Sequence, residues 1–298
     1  MTVRAPAKVN LHLSVGRRRP DGYHDLTTVF HAIGLYDDVV LTRADAPTVS
    51  VEGEQARLVP TDSSNLALQA VRLIAQHTGN DPGISVHIRK GIPVAGGCAG
   101  GSADAAAALI GCDALWGTGL GKDELAGLGA QLGSDVPFGL HGGTALGTGR
   151  GEQLTPVLGQ GSYSWVLALS DGGLSTPDVY AQLDRQRESG PVGVVSNPAG
   201  VLTALRQGDA VALGRALGND LQPAAIALKP PLRLLLEAGR DLGALGAVVS
   251  GSGPTVALLT RDEDHGTALA SALAGQGVCS GVRVASGPAA GARVVEAH

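Results

Sequence analysis

Lysine is nearly missing from this chain. Of 298 residues only four are lysine (Lys8, Lys90, Lys122 and Lys229); the other basic side chains are arginine, and the net charge is −5. The longest basic run is Arg17-Arg18-Arg19, too short for the cationic footprint that nucleic-acid binding requires, so no nucleic-acid partner is expected. Three cysteines, Cys98, Cys112 and Cys279, have neither metal-site spacing nor the density of a disulfide framework. The eight histidines show no paired spacing of the zinc type. Apolar stretches are interrupted by Gly, Ser or Pro, so none reads as a membrane span and no membrane partner is expected. The segment around Met1 carries Arg4 and Lys8 without an apolar core, so no secretory leader is read there, and a reduced, cytoplasmic location is the expectation. Aromatic residues make up 3% of the chain and charged ones 16%, against 44% apolar. A core of Ala, Val and Leu follows, and a disordered chain is excluded.

Glycine is what abounds: 45 residues without a Gly-X-Y period, about twice the usual share. The length suits two domains, and the pattern restarts near Gly159–Gly161, giving an expected division into 1–160 and 161–298. Val9, Leu11, Leu13 and Val15 alternate with Lys8, Asn10, His12 and Ser14, which predicts a strand with one polar face. That face is either an active surface or merely solvated. A turn at Asp21-Gly22-Tyr23-His24 precedes strands at 27–33 and 39–42. A helix is expected over 65–77, capped by Ser63 or Ser64 and closed by Gly79, then a strand through Ile84, Val86 and Ile88. Further helices are expected at 122–132, 177–187, 200–217, 230–241 and 263–274. Strands are expected at 164–169, 247–250, 255–259 and 282–285, and a glycine-rich hairpin at 142–151. The second half then reads as an open sheet with helices on one face.

Between Lys90 and the run Ala103-Asp104-Ala105-Ala106-Ala107-Ala108-Leu109 stand Gly91, Gly96, Gly97, Gly100 and Gly101. Such a stretch forms neither helix nor strand, while the alanines after it favour helix strongly. Strand, glycine loop and helix follow, with Ser102 expected as N-cap. Amides unobstructed by Cβ atoms, at a helix N-terminus, form an anion site. It is not a P-loop, since no Gly-Lys-Ser/Thr follows Gly101, and not a dinucleotide fingerprint, since Cys98 and Ala99 occupy the wrong positions. A phosphate loop of a third kind is expected. Ser250-Gly251-Ser252-Gly253-Pro254-Thr255 is either a plain turn or a second wall for phosphates. Asp135, beside Ser134 after a helix break, is either the reactive carboxylate or a cap for the turn it begins.

Ala5-Pro6-Ala7-Lys8-Val9-Asn10-Leu11-His12-Leu13, the loop and helix from Pro93 to Ala108, and Val249-Ser250-Gly251-Ser252-Gly253-Pro254 resemble the three motifs of the GHMP kinases, in order and spacing. Asp21-Gly22-Tyr23-His24 and Leu132-Gly133-Ser134-Asp135-Val136-Pro137 resemble the branch acting on a cytidine diphosphate-linked methylerythritol in non-mevalonate isoprenoid synthesis. The resemblance implies an α/β (α+β) two-domain fold. An N-terminal βαβ-type ATP-binding domain and a C-terminal ferredoxin-like domain would hold the active site between them. It implies ATP and Mg2+ as cofactors, with the metal ligands open, and transfer of the γ-phosphate to the acceptor's 2-hydroxyl. Pro93, Val94, Ala95, Gly96, Gly97, Cys98, Ala99, Gly100, Gly101, Ser102 and Ala103 would wrap the ATP phosphates. Asn65 and Leu66 would lie near adenine and Lys90 near the nucleotide. Asp135 would take the hydroxyl proton with help from Lys8, and Asn10 would contact substrate or orient that pair. Tyr23 and His24 would bind cytosine, and in the segment beginning at Thr176 the aromatic Tyr180 would cover the base from the other side.

The chain departs from the family at two points. Ala103 replaces a usual second Ser, which removes one candidate hydroxyl for Mg2+ or phosphate, and Cys98 stands where Leu is common. Another small-molecule GHMP kinase, for mevalonate- or homoserine-like acceptors, would not need the Asp21–His24 motif or Tyr180. A bare nucleotide-binding module would not need Lys8 and Asp135.

Overall fold

The structure, a computed structural model, describes residues 1–94, 96–190 and 197–297. Its first lobe starts with a long antiparallel ribbon, β1 (Thr2–Arg18) and β2 (His24–Arg43). β3 (Thr48–Glu52) and β4 (Ile84–Arg89) run parallel and are joined through α1 (Leu66–Thr78), a βαβ unit. The chain continues through α2 (Gly100–Trp116), α3 (Lys122–Leu132) and α4 (Val136–His141) to the hairpin β5 (Thr144–Thr148) and β6 (Gln153–Pro156), which lies on β2.

The second half runs β7 (Tyr163–Leu169), α5 (Thr176–Ser189), α6 (Ala199–Gln207), α7 (Ala210–Ala216), β8 (Gly218–Asn219), α8 (Gln222–Leu228) and α9 (Pro231–Asp241). Then come β9 (Gly246–Val249), β10 (Val256–Thr260), α10 (Glu263–Gln276), β11 (Gly281–Gly287) and β12 (Arg293–Glu296). Its sheet, in the order β11-β7-β10-β9, is antiparallel throughout. With the additional helices set aside this is the β-α-β-β-α-β plan of ferredoxin-like domains. The first sheet has the order β12-β1-β2-β4-β3, with β5 beside β2, β6 beside β5 and β8 beside β1. The last strand therefore crosses back to the lobe in which the chain starts.

Every residue of β7 is buried, because both its faces are covered. Val166 and Ala168 pack with Val179, Leu183, Leu235 and Leu269. Trp165 and Leu167 join the core that also contains Val9, Leu11, Ile33 and Leu109. A strand covered on both faces reads as a continuous apolar run, as Trp165–Leu169 does. Helix α2 is likewise buried from Ala103 through Leu109. Its alanines let β1, α1 and α4 approach closely, so small side chains do the work that scarce aromatics cannot.

The local differences from expectation have identifiable causes. The cap of α1 is Asn65, whose Oδ1 accepts from the amides of Ala67 and Leu68 at 2.9 and 3.2 Å; Ser64 bonds Asp62 instead. Ser102 is not a cap either. Helix α2 starts at Gly100 after Ala99, which adopts φ +60°, and this places Ser102 inside the first turn. The helix expected over 200–217 is two, because Asp209 caps α7 through the amide of Ala212. The polar face of β1 is not solvated: Lys8, Asn10 and His12 are all at most 5% exposed.

Candidate active site

A cavity of about 770 Å³ opens between the two lobes. One wall is β1 and β2, whose buried polar groups form a directed relay. Thr28 Oγ1 donates to the His12 carbonyl at 2.8 Å and accepts from Asn10 Nδ2 at 2.9 Å. Asn10 Oδ1 accepts from Lys8 Nζ at 2.7 Å. An ammonium only donates, so the amide of Asn10 can point only one way. The second partner of Lys8 is the Gly97 carbonyl at 2.8 Å, and the third is Asp135 Oδ2 at 3.6 Å. Asp135 occupies the N-cap position of α4 yet makes no capping hydrogen bond with its side chain. Its carboxylate faces the cavity and Lys8, so it does not act as the cap of the turn it begins.

The glycine loop is held from below. Asp37, fully buried on β2, accepts from the amides of Gly91 and Ile92 at 2.8 and 2.9 Å and pairs with Lys90. Lys90 also reaches Asp104 Oδ2, just past the first turn of α2, at 2.8 Å. Burial pushes the Asp104 carboxyl well above the usual carboxylate range, and the Asp37 charge adds to the rise while Lys90 opposes it. Burial alone would lower the Lys90 ammonium, but Asp104 and Asp37 outweigh it and hold it above the ordinary lysine value. One cation between two buried carboxylates is balanced when the pair of acids keeps one proton.

The loop is clasped from the second lobe as well. Ser250 Oγ donates to the Gly97 carbonyl at 3.1 Å and the Thr255 amide to the Gly96 carbonyl at 3.3 Å. Gly97 has φ +75°, and a Cβ there would fall 2.1 Å from the Ser250 carbonyl oxygen. Gly251, Ser252 and Gly253 line the cavity opposite the loop, so the segment between β9 and β10 is both a turn and a wall. At the mouth of α2 the amides of Gly100, Gly101 and Ser102 precede the first intrahelical bond, from Ala103 to Ala99. All three residues line the cavity. Among the described residues nothing pairs with the Ser102 hydroxyl.

The far end of the cavity is aromatic. Tyr23 is 54% exposed beside it, with the Arg150 guanidinium 4.8 Å from its ring centre. His24 is buried against Tyr180, ring centres 5.1 Å apart, and its Nε2 lies 2.9 Å from Asp184 Oδ1. Burial, reinforced by the Asp135 charge, drives the Tyr180 hydroxyl far up in pKa, so it stays neutral. Thr176 Oγ1 and Ser252 Oγ, 2.9 Å apart, join the start of α5 to the opposite wall.

The cavity thus gathers Lys8, Asn10, Tyr23, His24, Leu66, Gly96, Gly97, Ala99, Gly100, Gly101, Ser102, Asp135, Thr176 and Tyr180. Pro93, Val94, Cys98, Ala103, Asn65 and Lys90 are outside its lining. Asn65 is occupied by its cap and by the Pro60 carbonyl, Lys90 by its two carboxylates, and the Val94 amide by Gln55 Oε1. Cys98 and Ala103 are buried in the core, so alanine at 103 deprives the cavity of no hydroxyl, contrary to expectation. Ala95 lies outside the described residues. Thr28, Asp37, Asp104, Arg150 and Asp184 were missed. Of these, Asp184 had a signal, since it follows Tyr180 by one helical turn.

Comparison with known proteins decides the family. Residues 65–143 match the GHMP kinases N terminal domain and residues 201–279 the GHMP kinases C terminal domain. The chain is 58% identical over 294 residues to the 4-diphosphocytidyl-2-C-methyl-D-erythritol kinase of Nocardia farcinica, covering 99% of this chain and 96% of that one. The chain belongs to the family of 4-diphosphocytidyl-2-C-methyl-D-erythritol kinases. A crystal structure of 4-(cytidine 5'-diphospho)-2C-methyl-D-erythritol kinase superposes with a TM-score of 0.77 at 33% identity, over 96% of this chain and 98% of that one. A homoserine kinase from Cytophaga hutchinsonii, at 21% identity and a TM-score of 0.74 over 99% of this chain and 97% of that one, shares the fold. The two-lobed GHMP kinase fold and an ATP-dependent kinase are therefore as expected. Among the described residues no helix is long and apolar enough to cross a membrane.

Proposed function

We propose that this kinase transfers the γ-phosphoryl group of ATP to the 2-hydroxyl of 4-diphosphocytidyl-2-C-methyl-D-erythritol, giving the 2-phosphate and ADP. The observation that carries this is one cavity with three chemically distinct ends. The free amides of Gly100–Ser102 suit a polyphosphate, the Lys8–Asp135 pair suits a reacting hydroxyl, and Tyr23, His24 and Tyr180 suit a planar base.

Phosphoryl transfer asks for positioning and charge stabilisation more than covalent chemistry. In this scheme the amides hold the β- and γ-phosphates and Leu66 lies by the adenine. Asp135 orients the acceptor hydroxyl and takes its proton late, while Lys8, fixed by Asn10 and Gly97, screens the developing alkoxide. Asn10 acts through Lys8, and Lys90 sets the loop rather than touching nucleotide. Among the described residues no cluster of three His, Cys, Asp or Glu could hold a metal. That suits Mg2+, which binds through one or two protein oxygens plus substrate phosphates; Ser102 Oγ, in the cavity lining, would hold it. When bound, Mg2+ would neutralise phosphate charge. The division near residue 160 is read as a functional one between a nucleotide lobe and a covering lobe, in a cytoplasmic enzyme.

An ADP-release assay offering the cytidylyl acceptor, mevalonate and homoserine tests the proposal. Turnover is expected with the first alone. Turnover with mevalonate or homoserine, and none with the cytidylyl compound, overturns it.

A further inference from the structure

We propose that Asp184 is a positioning residue that makes the base pocket select an amino-bearing pyrimidine over its carbonyl counterpart, by dictating which nitrogen of His24 carries the ring proton. The proposal rests on the acceptor assigned above and deepens it.

His24 opens β2 directly after Tyr23, while Asp184 belongs to α5 of the other lobe. The two meet across the cavity at 2.9 Å through His24 Nε2 and Asp184 Oδ1, with side-chain exposures of 5% and 26%. An ionised carboxylate accepts hydrogen bonds and donates none, so the proton of a neutral imidazole in this pair sits on Nε2. Nδ1 is then left as an acceptor. Among the described residues no group bonds Nδ1, and that atom is not among the buried polar atoms without a partner, so it is open to the cavity that His24 lines. Tyr180, on the same face of α5 as Asp184, lies against the imidazole and fixes its plane.

The consequence is chemical. Cytosine carries an amino group at its 4-position and uracil a carbonyl oxygen. An acceptor nitrogen attracts the first and repels the second. If the proton moved to Nδ1 the preference would reverse. A free histidine exchanges between the two tautomers, and Asp184 removes that freedom. Selection of this kind comes from a site polar group that the wrong ligand leaves unpaired.

The test combines binding of CDP and UDP by calorimetry, kcat and KM with the cytidylyl and uridylyl acceptors, and 15N NMR of histidine-labelled protein, for wild type, Asp184→Asn and Asp184→Ala. The wild type is expected to show His24 protonated on Nε2 and to bind CDP at least about tenfold more tightly than UDP. In Asp184→Ala that ratio falls by about tenfold, the change appearing in the KM of the acceptor and not in the KM of ATP. Asp184→Asn keeps part of the ratio, because its carboxamide oxygen still accepts from Nε2. An unchanged ratio in Asp184→Ala, a wild-type proton on Nδ1, or a wild-type preference for UDP overturns the proposal. Where Asp184→Ala fails to fold, Asp184→Asn and the wild-type spectrum decide. A wild type that prefers CDP but phosphorylates no cytidylyl acceptor removes the proposed function and leaves the Asp184 assignment standing. Turnover of that acceptor with a ratio insensitive to residue 184 does the reverse.

Discussion

Lys8 Nζ stands 3.6 Å from Asp135 Oδ2, while its two shorter contacts go to Asn10 and Gly97. The ammonium is thus fixed by neutral oxygens, and the carboxylate is held by charge at a distance beyond a good hydrogen bond. Its lone pairs remain available to an incoming hydroxyl. Asp135→Asn is expected to lower kcat by about 10²–10⁴-fold with the Kd for ATP nearly unchanged, measured by steady-state assay and nucleotide titration. Turnover retained in this variant removes Asp135 from the proton-accepting role.

Tyr23 is more than half exposed at the rim, so its removal should cost affinity without damaging the fold. A stacked ring contributes on the order of 1–3 kcal/mol. Tyr23→Ala should therefore raise the KM of the cytidylyl acceptor by roughly 5–150-fold and spare the KM of ATP. A parallel rise in both constants would show that Tyr23 serves the cavity as a whole.

Much of this site was legible because its residues are scarce or oddly placed. A lysine on a strand, a carboxylate after a helix break and four glycines before an alanine helix stand out in a composition otherwise made of Ala, Val and Leu. What stayed hidden was the support. Asp37 and Asp104 look like ordinary solvated acids until β2 and α2 bring them to the same ammonium. The family resemblance put Lys90 near the nucleotide; its side chain turns under the loop to Asp37 and Asp104. The caps were misplaced for a related reason. Ser63, Ser64 and Ser102 have the right chemistry for capping, but Asn65 and a left-handed Ala99 had already fixed the helix starts.

Lys90 pairs with two buried carboxylates, so Lys90→Met should be costly. Losing one partner of a buried ion pair typically removes about 3–5 kcal/mol, which denaturant unfolding will read as a lower midpoint. The ATP KM should rise as the loop loosens. A variant of wild-type stability that binds ATP poorly would mean that Lys90 touches the nucleotide.

Gly97→Ala forces a side chain into a left-handed position, which alone costs roughly 1–2 kcal/mol, and drives its Cβ against the Ser250 carbonyl. The ATP KM should rise at least about tenfold with the far-ultraviolet circular dichroism unchanged. Normal ATP binding would show that the loop does not need the contact with the second lobe.

His31 is fully buried, its Nδ1 2.8 Å from Thr144 Oγ1, and burial pushes its pKa down to about 4. The unfolded chain, at about 6.5, takes up the proton first. The stability held above that value is therefore lost as pH falls from about 6.5 towards 4. Between pH 7 and pH 5 the loss should be about 2 kcal/mol. Denaturant curves of His31→Gln should show a shallower pH dependence than wild type, and identical slopes would refute the assignment.

The pairing of β12 with β1, Thr2 opposite Glu296, has a consequence for biosynthesis. A ribosome delivers β1 well before β12, so the Thr2–Arg4 stretch of the ribbon's edge stays bare until the second lobe has emerged. Unpaired strand edges invite association with other chains. The nucleotide lobe thus begins to form before the second lobe and is completed after it, and this part of its border is most vulnerable to aggregation while the second lobe is still being translated.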